Sequence, residues 1–324
     1  MNLTRRHFSA ALVGTSAALA SGWALSQSAK AIRILVGFPP GGGTDAIARL
    51  LSERLALELG VPVVVENKAG AGGQLAAQAL KASTPDGTTL FLSHDHTISI
   101  LPLVTKNPGF DPAADFVSVA GFATFVNAFA VSGGTPAKTF NEYVAWVNSA
   151  GKGKGAVGVP APGSVPEFLV KLVGERFNLD LVAAPYRGSA PLIGDMLGNQ
   201  IAAGVASIPD FIENHRAGKL RVVAVLGGAR QTALPDVPTF AELGLAGFED
   251  IPYYGLFAPK GTPQANIDAV GAALAKVLKQ QAVHDTLTNM GLTVGYMPQA
   301  QLATREKAYS QIWAKIIKAR GLAP

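Results

Sequence analysis

The sequence contains no cysteine in its 324 residues. That excludes any disulfide and any lipid anchor attached through cysteine, so the fold must be held by its core alone. Charge is also scarce: Asp, Glu, Lys and Arg make up 15% of the chain, with a net charge of +5. The Lys and Arg residues are scattered, and "GKGKG" at 151–155 is the densest cluster. Nucleic acid is therefore not an expected partner, whereas a mild positive excess suits an acidic small molecule. Hydrophobic residues reach 48%, yet after the N-terminal stretch they fall in short runs broken by Gly and Pro. None has the uninterrupted length of a membrane helix.

The chain opens with Arg5-Arg6, then an Ala- and Gly-rich apolar stretch and small residues up to "ALS" before Gln27. This pattern is an export signal over residues 1–26, of the twin-arginine or the general secretory type, and it implies a periplasmic destination. Roughly 300 residues remain, enough for two α/β lobes.

The most informative stretch is "GFPPGGGTDAIARLLSERLALELG", Gly37 to Gly60. The preceding "IRILVGF" is a β-branched run that predicts a buried strand, and Ile47, Leu50, Leu51, Leu55 and Leu59 recur at helical spacing. Thr44 or Asp45 is expected to cap the helix, with amides near Gly42 and Gly43 open to an anion; alternatively the glycines only make a tight turn. "VPVVVEN", Gln74–Ala82 and "TTLFLS" then complete a parallel βαβαβ unit. A second unit begins near "AVGVP" at 156–160. Thr262 is expected to cap a helix that starts at Pro263, and an amphipathic helix closes the chain from Gln299 to Arg320. Two extended stretches, Phe125 to Ser132 and Tyr253 to Pro259, flank the middle unit and predict a two-strand hinge. The expected lobes are 32–126 plus 258–324, and 127–257. Ligands of open α/β sheets sit beyond the carboxyl ends of strands, which brings Pro39–Asp45, Ser93–Thr97 and Ala161–Glu167 to one cleft.

Three functions compete for this pattern. Gly41-x-Gly43-x-x-Ala46 with Glu66 downstream satisfies a dinucleotide fingerprint, so an exported Rossmann-type NAD(P)-dependent oxidoreductase is the alternative reading. Against it stand Pro39-Pro40 ahead of the glycines and the lack of an obvious His-plus-carboxylate pair in the second lobe. "SHDHT" puts His94 and His96 on one side of an extended chain with Asp95 opposite, but no third ligand makes this a metal site. Ser164 in "PGSVP" lacks a nucleophile elbow. A binding protein with two lobes, a hinge and a polar cleft accounts for every feature without a catalytic group or a cofactor.

"FPPGGGTDAIARLL", "VVVENKAGAGG", "TPDGTTL", "PYRGSAPLIGDMLGNQI", "RAGKLRVVAV" and "ALPDVPTFAELG" occur in that order over nearly the whole chain after the leader. In this series the sequence resembles the Bug receptors of tripartite tricarboxylate transporters. The resemblance implies an α/β, two-lobed periplasmic binding protein of type II, a Venus flytrap. It also implies a monomer that captures a small carboxylated metabolite for the membrane subunits of such a transporter, or for a sensor kinase. Carried over by position, the ligand-binding residues are Phe38, Gly42, Gly43, Thr44, Asp45, Ser93, His94, Gly163 and Ser164, with Arg187, Ser207 and Asp210 as further candidates. Protonated His94 or His96 would help hold an acid. Pro166 and Glu167 stand where many members have a hydroxyl residue and then His, so one usual carboxylate donor is missing.

Overall fold

The computed structural model describes residues 30–247, 251–319 and 321; the expected leader, 1–26, lies outside them. Strand β1 (Ile32–Val36) leads through the glycine loop into α1 (Gly43–Leu59), β2 (Val63–Asn67), α2 (Gln74–Lys81) and β3 (Thr89–His94). Ile47, Leu51 and Leu55 repeat every fourth residue, so one face of α1 is wholly buried against the sheet. The helix stops at Gly60, whose φ of +67° is a left-handed conformation that glycine adopts without strain.

The chain then forms β4 (Phe116–Thr124), crosses over, and builds a second group: β5 (Asn127–Ser132), α3 (Phe140–Ser149), β6 (Lys154–Val159), α4 (Val165–Phe177), β7 (Asp180–Pro185), α5 (Ser189–Leu197), β8 (Ala203–Ser207), α6 (Ile208–Arg216) and β9 (Leu220–Val225). It returns as β10 (Tyr253–Pro259), α7 (Gln264–Lys279), α8 (Gln281–Asn289), β11 (Thr293–Pro298) and α9 (Gln299–Ala319). Two sheets result, ordered β11-β4-β10-β3-β1-β2 and β7-β6-β8-β5-β9.

The expected parallel units are present as β2-β1-β3 and β7-β6-β8. Antiparallel strands extend each: β10 lies between β3 and β4, and β5 between β8 and β9. All seven residues of β10 are buried; Tyr253–Pro259 pair with β4 and Tyr254–Phe257 also with β3, so the strand belongs entirely to the first sheet. The return crossing therefore precedes Tyr253, ahead of the 257/258 junction that the sequence suggests. The outward crossing is the pair Phe125–Val126. The two crossings run side by side, Phe125 N–H donating to Pro252 O at 3.2 Å and Leu226 N–H to Asn127 O at 2.8 Å.

Thr262 does not cap α7; its hydroxyl donates back to Pro259 O, and Pro263 holds the cap position. The closing helix α9 lies over the first sheet, where Gly121 and Gly255 admit Leu302: a Cβ on Gly255 would stand 2.7 Å from Leu302. Farther along, Trp313 stacks on Phe168 of α4 at 5.7 Å, so α9 reaches across to the second group.

Glu306 of α9 is mostly buried, and its carboxylate accepts a hydrogen bond from Ser118 of β4. Burial pushes its carboxyl up to about 6, with the Ser118 bond opposing. Folded Glu306 thus keeps its proton to higher pH than the unfolded chain, and stability present in acid is lost as pH rises from the ordinary carboxylate range to about 6. Glu306→Gln should stabilise the protein by about 2 kcal/mol at pH 7 and leave it unchanged at pH 4. Urea unfolding at the two pH values checks this, and equal midpoints at pH 7 would contradict it.

Candidate functional site

An enclosed cleft, about 500 Å³ counting its mouth, lies where the two groups face each other. Its first wall carries Phe38, Thr44, His94, Asp95, His96 and Tyr254; Phe125 comes from the outward crossing and Asn127 from the start of β5. Its second wall carries Pro160, Ala161, Ser164, Val165 and Pro166, then Ser189, Ser207 and Asp210. Four helices begin here: α1 at Gly43, α4 at Val165, α5 at Ser189 and α6 at Ile208. Helix starts carry unpaired N–H groups and partial positive charge, which favour an anion in the cleft.

The glycine loop explains how the walls meet. Helix α1 begins at Gly43, earlier than expected, with Gly42 as its cap and no side-chain cap bond. Thr44 and Asp45 are therefore inside the helix. Gly42 has ordinary extended geometry, but a Cβ there would stand 2.9 Å from Ser189 Oγ, and one on Gly43 would stand 2.9 Å from Pro209 Cβ. The glycines make room for the opposite wall. Gly43 N–H donates to Asp210 Oδ1 across the cleft at 2.8 Å. The same carboxylate accepts from Ser189 Oγ at 2.5 Å, Ser207 Oγ at 2.5 Å and Ser207 N–H at 3.2 Å. An amide expected to stand open is thus occupied by the protein's own carboxylate.

Of the candidate residues, Phe38, Thr44, His94, Ser164, Ser207 and Asp210 line the cleft. Gly42 and Gly43 act through the contact just described. Asp45 instead organises the first loop: it accepts from Gly41 N–H at 3.1 Å, from Asn67 at 2.9 Å, and from Arg49 at 3.0 Å. Burial works against its charge, but these bonds outweigh it and hold the carboxyl below its ordinary value. Ser93 is buried outside the cleft lining. The Gly163 amide is taken by Glu167, whose own N–H goes to Ser164 Oγ, the N-cap of α4. Arg187 is exposed and does not reach the cleft.

The histidines differ from each other. The chain does not stay extended, because Asp95 turns helical and His96 opens a π-helical turn to Ile100. His94 stacks on Phe38 at 5.1 Å and meets Phe125 and Tyr254 edge-on at 5.8 and 5.4 Å. Its Nδ1 stands 3.3 Å from Asp95 Oδ1 and 3.4 Å from the His96 amide, so it can donate to one or accept from the other. Asp95 is buried and also accepts from Tyr309 of α9 at 3.0 Å. His96 is buried, and neither ring nitrogen has a hydrogen-bond partner among the described residues. Burial, with His94 nearby, pushes its pKa down to about 4, so the expected protonated His96 is replaced by a neutral ring. Among the described residues no group of three or more His, Cys, Asp or Glu side chains could hold a metal ion.

Sequence reasoning missed Ser189, Asn127 and Phe125 as lining. Ser189 follows the carboxyl end of β7, so the rule that found Ser164 would have found it too. Phe125 and Asn127 line the cleft because the crossing and the start of β5 pass beside it, which no local pattern announces.

Residues 47–322 match the family described as tripartite tricarboxylate transporter family receptor. The protein BugT of Bordetella pertussis is 32% identical over 90% of this chain and 90% of its own length. Among solved structures, the periplasmic binding protein BugD superposes with a TM-score of 0.84 at 29% identity, over 90% of this chain and 98% of BugD. The Rhodopseudomonas palustris protein Rpa4515, solved with adipate, gives 0.85 at 27% identity, over 92% of this chain and all of its own.

Two outcomes follow from the geometry. Gly43→Val should keep the first sheet's core and its melting temperature within a few degrees, yet hold the walls apart; small-angle scattering should then give a larger radius than wild type, and an equal radius would contradict the contact. For His96, the stabilising effect of its depressed pKa is complete above about 6.5 and lost as pH falls toward 4, because the unfolded chain takes up a proton that the folded one refuses. Denaturant titrations should show wild type losing about 3 kcal/mol more than His96→Gln across that window.

Proposed function

The chain belongs to the tripartite tricarboxylate transporter receptor family, and on that premise we propose that it captures a small carboxylated metabolite in the cleft between its two walls. The observation that carries this reading is the meeting of four helix starts in one enclosed space. Backbone N–H groups aimed into such a space stabilise an anion without a buried cation. Rpa4515, a relative of nearly the same architecture, holds adipate. Ligand-binding roles fall to Thr44, His94, Ser164 and Ser189, with Phe38, Phe125 and Tyr254 shaping the apolar part. Gly42, Gly43 and Asp210 act by closing the cleft.

The dinucleotide alternative finds no support in this family. Its glycine fingerprint is accounted for otherwise, since Gly42 and Gly43 sit against Ser189 and Pro209 where a pyrophosphate would need space. The relatives are binding proteins, and the role read here is capture without chemistry. The N-terminal leader would place the mature chain in the periplasm, where the closed form is presented as a monomer to membrane subunits of a tripartite transporter. A sensor kinase reading the same closed form is the other recipient compatible with the family.

Thermal-shift measurements of the mature protein against a panel of carboxylic acids test the reading. A ligand at one hundred times its Kd that binds only the folded form adds about 2.7 kcal/mol, a rise of several degrees. At least one small acid should produce it, and calorimetry should give one site per chain. A panel of mono-, di- and aromatic acids that leaves the melting temperature unmoved would reject it.

A further inference from the structure

Resting on the carboxylate-receptor reading, we infer that the ligand is a zwitterion with one carboxylate and one cationic nitrogen, and that Asp95 selects the nitrogen. Three independent features of the cleft lead there. The first is the charge of the walls. Asp95 and Asp210 both line the cleft, and no Lys or Arg does among the described lining residues. Arg49, beside the first loop, is tied to Asp45. Protonating His94 would cancel one of the two negative charges and leave the other.

The second is the supply of donors. A ligand with two carboxylates needs two sets, and the helix starts do not provide them. At α6, Ile208 N–H goes to Val126 O, Pro209 has no N–H, and the Asp210 N–H goes to Ser207. At α4, Pro166 has none and the Glu167 N–H goes to Ser164, which leaves Val165. At α1 the Gly43 N–H is held by Asp210, leaving those of Thr44 and Asp45 without an intrahelical partner. Helix α5, beside α1 across the Gly42–Ser189 contact, adds its own first turn to the same pole. One carboxylate is served there, already beside the charge of Asp210.

The third is the composition of the other pole. Asp95 accepts from Tyr309 and stands near His94, a smaller set of donors than the four around Asp210. Beside it His94 is ringed by Phe38, Phe125 and Tyr254, which also line the cleft; aromatic faces favour a cation, and the two phenylalanines offer a carboxylate no donor. His96, buried and without partners, lines the same cleft as a neutral ring and can accept from an N–H. A buried carboxylate with an aromatic surround and an unpartnered imidazole is a receptor for a cationic nitrogen.

Matched probes decide it. Titration calorimetry at pH 7 compares adipate with 5-aminopentanoate, and terephthalate with 4-(aminomethyl)benzoate, pairs in which one carboxylate is exchanged for an ammonium at nearly constant length. The amino member of at least one pair should bind wild type tenfold or more tightly than its diacid, and Asp95→Asn should erase that preference. Tighter binding of the diacids overturns the inference and leaves the carboxylate-receptor reading intact. A preference undiminished in Asp95→Asn overturns the role of Asp95. Should that variant not fold, the wild-type ratio decides alone. If no member of either pair binds, the inference is overturned, while the carboxylate-receptor reading is decided by the wider acid panel.

Discussion

The carboxylate of Asp210 is the point on which the two halves of the molecule are fastened. It gathers donors from the starts of three helices, and one of them, the Gly43 amide, belongs to the opposite wall. Asp210 is half-buried, and a carboxylate so placed depends on those donors, since stripping it of its bonds costs more than any one of them contributes. Much of the local sequence serves this arrangement. Glycines at 42 and 43 let the backbones approach, Ser189 and Ser207 supply hydroxyls, and Pro209 sets the first turn of α6 where the carboxylate needs to be. Asp45 does the corresponding work within the first wall, tying Gly41, Arg49 and Asn67 into a rigid loop.

The prolines at the helix starts also shape the electrostatics. Pro166 and Pro209 occupy second positions of α4 and α6, where their fixed φ suits a helix and their missing N–H removes a donor from the cleft. The partial charge of each helix remains while the hydrogen-bonding capacity drops. The cleft can therefore serve fewer oxygens at contact than four converging helix starts alone would, which makes it narrower in its choice.

Much of this architecture was legible in the sequence because its carriers are local. Ile47, Leu51 and Leu55 at helical spacing, β-branched strands ended by Gly and Pro, and a serine opening α4 follow from short-range preferences. The site was legible where a loop after a parallel strand supplies it, as with Thr44, His94 and Ser164. It was obscure where a partner from far along the chain decides a residue's role. Gly43 faces Asp210, 167 positions away, and Asp95 meets Tyr309, 214 positions away. The alternation of His94 and His96 pointed to an extended chain, yet a π-turn follows and one imidazole is sunk into the core. Arg187 drew notice for its charge, which is also why it stays in water.

The place of β10 in the first sheet has a consequence for biogenesis. Strand β10 separates β3 from β4, so the sheet has a gap in its middle until residue 259 has been synthesised. The intervening strands, β5 to β9, form a continuous run and pair only with one another. The middle of the polypeptide can therefore pair its strands while the earlier-made segment still exposes unpaired strand edges, a state prone to aggregation. Loop closure across more than 120 residues then becomes the slow event in maturation. An export machinery that handles unfolded chains would sidestep this interval, and one that requires finished proteins would have to wait through it.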